Sequence, residues 1–286
     1  MRIFHVYRLS ARLLPHLPPT IGYRLCEQLS VLAPLTPAWP RIQANLQQVL
    51  PHATESHRRR LGRRIVANLL KGYYELFRLH SQTPADRASL VDIRGLANLE
   101  TALAGGKGVI IAMPHMGSLS LAAEPVAALV KTPLMVAAEQ LRDPDIHALM
   151  RSLRQQGDVE VVEIGPTIAR TITRRLRAGH IVVLPCDRTV ADATVDVMFF
   201  GKSARVPSGP AMLALRTGAP IMTAFSYRLP DNRSVVVIDP PIVLERRTEL
   251  GVDVGRIMQA VLRIFETYIR RDPAQWLLTE PVWDTA

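Results

Sequence analysis

The chain has 286 residues, of which 48% are hydrophobic, so it can bury a large core as one domain or as a domain with an appendage. Its 35 basic residues exceed its 25 acidic residues, and the net charge of +10 favours an anionic membrane surface or nucleic acid as a partner. Aromatic residues make up only 5% and no nucleic-acid-binding motif is present, which argues against nucleic acid, while the distant Cys26 and Cys186 favour neither a disulfide nor a zinc site.

Residues 1–25 place apolar side chains such as Phe4, Tyr7 and Leu13 among arginines, a spacing that predicts a short amphipathic helix ending before Pro18. Such a helix lies either in a membrane interface or against the rest of the protein. No run reaches the roughly 18–20 apolar residues of a membrane-spanning helix. Because charge is scattered through this segment, it does not resemble a secretory signal, and we expect a protein on the cytosolic side.

Residues 41–51 and 57–79 also show helical spacing. In the second segment Leu61, Ile65 and Leu69 begin one apolar stripe, and five arginines crowd the start of the helix. These arginines form either a solvated face or a contact with lipid headgroups. We treat residues 1–85 as an N-terminal section of amphipathic, membrane-contacting helices, continuous with a core over residues 86–286.

From residue 91 the pattern changes to short apolar strands that alternate with helices. The predicted strands are 91–95, 107–113, 133–138, 159–163, 180–185, 220–227 and 234–238, with a hairpin-like segment at 193–200. The predicted helices are 96–104, 118–129, 144–156, 168–178, 210–217 and 252–271. This alternation predicts an α/β fold with a largely parallel sheet covered by helices, whose ligands bind beyond the carboxyl ends of the strands.

Three predicted strands end in ionisable side chains. His115 follows the strand at 107–113, Glu139 follows 133–138, and Asp187 and Arg188 follow 180–185. The carboxyl ends of parallel strands share one edge of a sheet, so these groups are expected near one another. A histidine at such a position is a candidate catalytic base, and we expect Asp187 and Arg188 to bind substrate by shaping the pocket.

A basic segment punctuated by glycine covers residues 199–210 and leads into a predicted helix. Lys202 and Arg205 supply positive charge, and Gly209 stands where the helix begins. The free N–H groups of a helix start and the fork of an arginine both suit a phosphate group. We therefore expect an anion-binding loop, with Arg205 as the main contact to a phosphate; a plain loop and helix cap is the alternative.

Five blocks in fixed order resemble a known family: GKGVIIAMPHMG, AEQL, CDR, VDVMFFGKSARVPSGPAMLALRTGAP and RRDPAQWLLTEPVW. The chain resembles the bacterial lipid A biosynthesis late acyltransferases over about residues 40–283, and among them the phosphatidylinositol mannoside acyltransferases. The resemblance implies a glycerol-phosphate acyltransferase-like α/β core attached to the cytosolic leaflet. It also implies transfer of a fatty acyl chain from acyl-CoA or an acyl carrier protein thioester to a hydroxyl of a lipid or glycolipid, with no cofactor and no metal.

In that family a histidine acts as the base, and an acidic residue follows it after four intervening residues. His115 matches the histidine, but the position of the acidic residue is occupied by Ser120. The carboxylate matters because it holds the imidazole tautomer and stabilises the imidazolium that forms during attack. This chain therefore departs from the family pattern at its catalytic motif.

Three explanations stand side by side. Another carboxylate takes the role: Glu139 first, then Glu124 one helical turn beyond Ser120, while Asp187 also approaches from a neighbouring strand. Alternatively Ser120 itself accepts the imidazole N–H, which gives a slower enzyme. In the third, catalysis is lost and the protein is an impaired or inactive lipid-binding homologue. A serine hydrolase is disfavoured because the sequence lacks G-x-S-x-G.

Overall fold

The computed structural model describes residues 2–189, 193–243 and 249–283 of the chain. Within these residues the helices are α1 (Arg2–Leu13), α2 (Pro19–Leu29), α3 (Trp39–Val49), α4 (Glu55–Arg78), α5 (Pro84–Ser89), α6 (Leu96–Ala104), α7 (Leu119–Val130), α8 (Pro144–Arg154), α9 (Ile168–Arg177), α10 (Gly209–Thr217) and α11 (Leu250–Arg271). The strands are β1 (Val91–Arg94), β2 (Val109–Met113), β3 (Leu134–Ala138), β4 (Val159–Glu163), β5 (Ile181–Pro185), β6 (Thr194–Phe199), β7 (Lys202–Pro207), β8 (Ile221–Arg228) and β9 (Ser234–Ile238).

The described part of the chain forms a sheet with the strand order β1-β9-β8-β2-β5-β3-β4. Its neighbouring strands are parallel, except for the antiparallel pair β8 and β9. All five residues of β2, at the centre of this order, are buried because helices cover both of its faces. The α/β architecture with a largely parallel sheet, predicted from the alternating pattern, is confirmed.

Successive side chains of β2 enter two different apolar layers, as the alternation of a strand requires. Ile110 and Ala112 join a cluster that includes Phe265 of α11 and Ala211 of α10. Ile111 faces the opposite layer, where α6 and α7 supply much of the apolar surface. The two clusters fix the height and tilt of β2, and with it the position of the residues that follow Met113.

The N-terminal helices pack onto the core through buried charge as well as apolar contacts. Glu75 of α4 pairs with Arg228 at the end of β8, and both side chains are buried. Tyr23 of α2 also donates a hydrogen bond to Glu75, at 3.0 Å. A buried pair of this kind must stay satisfied, because either charge left alone would carry a large desolvation cost. The junction between α4 and β8 is therefore a fixed point near the carboxyl edge of the sheet.

The structure corrects several predictions about the elements. A separate helix, α2, begins at Pro19, since proline is well tolerated in the first turn of a helix. The segment predicted as an anion-binding loop contains strand β7, which pairs antiparallel with β6. Helix α5, closed by a Thr83–Asp86 capping box, was not predicted.

Candidate active site

Strands β2 and β5 are neighbours, and their register places two ionisable side chains side by side. Met113 at the end of β2 is the pairing partner of Pro185 at the end of β5. His115 and Asp187 each lie two residues beyond this pair, so they leave the sheet at the same height. The carboxyl edge of the sheet therefore brings a histidine and an aspartate together.

The carboxylate of Asp187 accepts three hydrogen bonds. Its Oδ1 lies 2.6 Å from Nδ1 of the His115 ring. Its Oδ2 accepts from the backbone N–H of His115 at 2.9 Å and from the indole Nε1–H of Trp276 at 2.8 Å. Asp187 is completely buried, whereas the His115 side chain is 36% exposed. The aspartate is thus a fixed, enclosed acceptor, and the imidazole faces outward from it.

Burial alone would raise the pKa of Asp187, but attraction to His115 and the hydrogen bonds from His115 and Trp276 outweigh it and lower that pKa below its usual range. The carboxylate is therefore ionised at neutral pH and accepts the proton on Nδ1. The other ring nitrogen, Nε2, then carries a lone pair, and no described residue forms a hydrogen bond with it. An imidazole held in this way can take a proton from a group that approaches the exposed side of the ring.

The backbone around His115 is held by a segment near residue 276. Leu277 donates its N–H to the His115 carbonyl at 2.7 Å, and Gly117 donates to the Gln275 carbonyl at 3.1 Å. Gly117 has φ +63°, and a Cβ there would lie 2.3 Å from the carbonyl oxygen of Ser226. Only glycine fits this turn, because both the backbone conformation and the space exclude a side chain.

The three residues predicted to complete the histidine site do not contact it. Glu124 is buried in an ion pair with Arg87, at 3.1 Å, because the start of α7 at Leu119 turns Glu124 toward α5. Glu139 is half exposed and pairs with Arg188. Ser120 lies in the first turn of α7 and forms no hydrogen bond with the imidazole. The prediction that Glu139, Glu124 or Ser120 is the partner of His115 is thus replaced by Asp187, which was expected only to approach from the side and to shape the pocket.

The other predicted binding residues separate into two groups. Arg188 follows Asp187 directly, and its pairing with Glu139 keeps both near the carboxyl edge of β5 and β3. Arg205 and Lys202 lie on strand β7, where Arg205 is exposed and faces Asp196 of β6 at 3.5 Å. Gly209 begins α10, and a Cβ there would meet no atom within 4 Å. The hydroxyl of Thr189, two residues beyond Asp187, donates to the Arg205 carbonyl at 2.6 Å, so the backbone of β7 passes close to the segment that follows β5.

Trp276 is a member of the site that sequence reasoning missed. Its indole is buried against Phe199, Phe200 and Trp283, which fix the ring while Nε1 points to Asp187. The residue stands in the last of the five blocks that carry the family resemblance, but nothing in the local sequence connects it with β5. The contact arises only from the way the segment after α11 returns to the sheet.

An apolar cavity lies beside the histidine turn, between the sheet and α7. Met113 and Leu119, which flank the His115 turn in sequence, both line it. So does Ser226, whose Oγ accepts the Ser118 backbone N–H. The remaining lining residues are apolar: Ile111, Ala122, Ala123, Val126, Leu134, Val183, Ala224, Phe225, Val236 and Ile238. The cavity is small, about 40 Å³, so as it stands it is an apolar gap beside the histidine turn and does not hold a whole fatty acyl chain.

The N-terminal helices expose unusually regular apolar stripes. Val6, Leu9 and Leu13 are each more than half exposed along one side of α1, and Ile21, Leu25 and Leu29 follow on α2 at i, i+4 spacing. The next segment adds exposed Val31, Leu32 and Leu35. Because Phe4 and Tyr7 of α1 pack inward, the outward stripes are additional to the buried face of the helix. Exposed apolar stripes of this kind are typical of a membrane or protein contact.

In residues 2–189, 193–243 and 249–283, no group of three or more histidine, cysteine or acidic side chains is placed to hold a metal ion. None of the helices in that same part of the chain is both long and apolar enough to pass through a bilayer.

Comparison with known proteins gives consistent similarities. The sequence model described as bacterial lipid A biosynthesis acyltransferase matches residues 2–285. The phosphatidylinositol mannoside acyltransferase of Mycolicibacterium smegmatis is 28% identical over 224 residues, which are 76% of this chain and 70% of that protein. Two proteins of the same name from Mycobacterium tuberculosis strains are 29% identical over 215 residues, 73% of this chain and 66% of theirs. The chain thus spans about two thirds of the length of these relatives.

Proposed function

Because this chain belongs to the bacterial lipid A biosynthesis acyltransferase family, we propose that it moves a fatty acyl chain from a thioester to a hydroxyl of a lipid or glycolipid, with His115 as the general base. The observation that carries the proposal is the 2.6 Å contact between His115 Nδ1 and the buried carboxylate of Asp187. The names of the relatives point to a phosphatidylinositol mannoside as the first acceptor to test.

In the proposed reaction, Nε2 of His115 takes the proton of the acceptor hydroxyl while the hydroxyl oxygen attacks the thioester carbonyl carbon. Asp187 stabilises the imidazolium that forms and keeps the ring in the required tautomer. When the tetrahedral intermediate collapses, the C–S bond breaks, the thiolate leaves, and the imidazolium returns the proton to it. The products are an ester and a free thiol, and the histidine is regenerated.

We propose that the apolar cavity beside the histidine turn marks where the acyl chain enters. Its lining includes Met113 and Leu119, so a chain entering there would place its carbonyl end beside His115. At about 40 Å³ the cavity must open further to admit the chain, and each methylene group removed from water contributes about 0.8 kcal/mol toward that opening. The acyl donor is either acyl-CoA or an acyl carrier protein thioester.

We propose that the exposed apolar stripes of α1, α2 and residues 30–35 rest in the interface of an anionic membrane on its cytoplasmic face. The stripes carry exposed Arg8, Arg12 and Arg24 beside the apolar residues, and such a combination favours an anionic lipid surface. Peripheral attachment would bring the acceptor lipid to the enzyme without a spanning helix.

The alternative, an inactive lipid-binding homologue, came from the serine at position 120. Asp187 supplies a carboxylate of the required kind from another strand, and this contact favours the active form of the proposal. The deciding experiment is thioester turnover with acyl-CoA, or acyl carrier protein thioester, and a panel of phosphatidylinositol mannosides and lysophospholipids.

Free thiol should appear with the native protein and disappear in His115→Ala, while the matched variant of an exposed loop histidine, His52→Ala, keeps the native rate. Undiminished turnover in His115→Ala would refute the role of the base. Liposome binding without turnover by the native protein, with every donor and acceptor of the panel, would support the inactive homologue instead.

A further inference from the structure

A groove lined by arginines runs along one side of α9, away from His115. Three of its arginines, Arg170, Arg174 and Arg177, have the spacing i, i+4, i+7 and therefore share one face of the helix. Arg216, near the end of α10, closes the groove from the other side. Small residues complete the lining: Ala169 and Thr173.

The four guanidinium groups are exposed, and within the described part of the chain none of them forms an ion pair within 4 Å, although Glu160 attracts Arg174 at longer range. Arg175, on the same helix but outside the groove, shows the contrast, since it holds Glu160 by two hydrogen bonds of 2.7 Å. Like charges one helical turn apart destabilise a helix slightly. The arrangement is thus one that an anion in the groove would relieve.

Further positive charge lies at the α10 end of the groove. The Nζ atom of Lys107 lies 3.3 Å from the position that a Cβ atom at Gly218 would occupy. Gly218 is two residues after Arg216, so the ammonium group lies near this end of the groove. Lys107 precedes β2 and Arg177 precedes β5, so this end of the groove is at the amino edge of the sheet. His115 lies at the opposite, carboxyl edge. The groove and the catalytic site share no residue.

We propose that this groove binds an organic anion that carries two or more phosphate charges and has the size of a nucleotide. Arginine matches phosphate through paired N–H donors, and its flat guanidinium also stacks on a base. The volume of about 440 Å³ falls within the range of about 300–1,000 Å³ that is usual for small-molecule sites. The site is a shallow cleft between α9 and α10, so a ligand there would be held mainly by charge and would stay partly in water.

Two sources supply such an anion: a free nucleotide, or the nucleotide portion of coenzyme A. The second source rests on the proposed acyl transfer, whereas the groove itself does not. The experiment measures binding of ATP by calorimetry, at a fixed moderate salt concentration, to the native protein and to Arg170→Gln/Arg174→Gln. Because both arginine side chains are exposed, the doubly substituted protein is expected to fold.

The control is Arg59→Gln/Arg63→Gln, which removes the same charge at the same spacing from an exposed part of α4. We expect ATP affinity to fall tenfold or more in the groove variant and to stay near native in the control. Equal weakening in both, or no ATP binding by the native protein, would overturn the proposal. The proposal would also be overturned if Arg170→Gln/Arg174→Gln kept its affinity for ATP and lost only its binding to phosphatidylglycerol vesicles.

Competition with coenzyme A separates the sources. Displacement of ATP by coenzyme A, lost together with ATP binding in the groove variant, would identify the donor's nucleotide portion as the occupant. ATP that coenzyme A does not displace would identify a separate nucleotide ligand. Either result supports the site, and neither depends on turnover at His115, so a failure of the proposed reaction is distinguishable from a failure of the groove.

Discussion

Asp187 holds His115 at two places at once: one carboxylate oxygen contacts the ring nitrogen Nδ1, and the other accepts the backbone N–H of the same residue. The rotation of the ring and the path of the chain beneath it are therefore set by one side chain. Trp276 donates to the second oxygen and prevents the carboxylate from turning. The outcome is an imidazole whose free nitrogen has a defined direction before any substrate is bound.

Asp187→Asn should lower the turnover number by about 10³–10⁴, because an amide in this position favours the wrong imidazole tautomer; the loss is about 10⁴ when the equivalent change is made in a serine protease. Thioester turnover with saturating acceptor measures it. Ser120→Ala and Glu139→Gln are the controls and should remain close to native, since neither side chain contacts the imidazole. A native rate in Asp187→Asn would contradict the assignment.

The lowered pKa of Asp187 makes stability depend on pH. A carboxyl whose pKa is lower in the folded protein stabilises it fully above its unfolded pKa, about 3.9, and this contribution is lost as the pH falls through the folded value. The free energy of unfolding of native protein and Asp187→Asn should therefore differ at pH 6 and converge as the pH falls below about 4. Urea titrations at several pH values test this. A gap that is constant with pH would show that Asp187 is not ionised in the fold.

Glu124→Gln should destabilise the protein by about 3–5 kcal/mol, because it leaves the buried Arg87 guanidinium without its counter-charge. The turnover number of the folded fraction should stay near native, since Glu124 is not the partner of His115. Chemical denaturation and turnover, measured on the same sample, separate the two effects. The double variant Arg87→Met/Glu124→Met should recover much of the lost stability. If the turnover number falls in Glu124→Gln and does not recover in the double variant, Glu124 would instead belong to the catalytic site.

Ala123→Phe should shift the acyl preference to shorter chains, because a phenyl ring at this position of α7 fills the apolar cavity of about 40 Å³ at which the acyl chain is proposed to enter. Overpacking of this kind costs about 1–3 kcal/mol of stability, so the comparison uses folded protein at a temperature well below its Tm. Turnover is measured across donors of increasing chain length. Ala214→Phe, in the buried layer on the other face of the sheet, is the matched control. An unchanged length preference in Ala123→Phe would show that the chain lies elsewhere.

Leu9→Ser/Leu13→Ser should weaken binding to vesicles that contain anionic phospholipid. Each leucine that enters the interface contributes up to about 1.5–3 kcal/mol, so loss of both should reduce partitioning by at least tenfold. Co-sedimentation with vesicles provides the measurement. Leu129→Ser/Val252→Ser removes two exposed apolar side chains from α7 and α11 and should have little effect. Equal weakening in the two variants would refute the assignment of the N-terminal surface.

The periodicity of the sequence was sufficient to predict the sheet and most of its helices, and His115 stood out because an apolar strand ends just before it. Asp187 was visible in the same way, but its partnership with His115 depends on the register of β2 and β5. Residues 72 positions apart pair along these strands, and no local pattern reports that offset. The expectation of a carboxylate five positions after His115 came from the family pattern, whereas the fold takes the carboxylate from the adjacent strand.

The prediction that the basic segment after Phe199 is a loop is wrong, because strand pairing was again not visible in the local sequence. Its glycine and charges suggested an irregular path, but the alternation of Ala204 and Val206 with exposed neighbours suits a strand, and β6 pairs with it. Likewise β9 runs antiparallel to β8, because the short connection between Arg228 and Ser234 leaves no room for a crossover. The role of Trp276 could not be predicted from the local sequence, since Trp276 and Asp187 are 89 positions apart in the chain.

The two backbone hydrogen bonds between the His115 turn and residues 275–277 have a consequence for biosynthesis. Sheet strands and N-terminal helices leave the ribosome first and can begin to fold there. The histidine turn, however, lacks its pairing segment and Asp187 lacks the Trp276 indole until that stretch has been made. A nascent chain is therefore without the complete set of contacts around His115 until the ribosome has passed Leu277 and that segment has returned to the sheet.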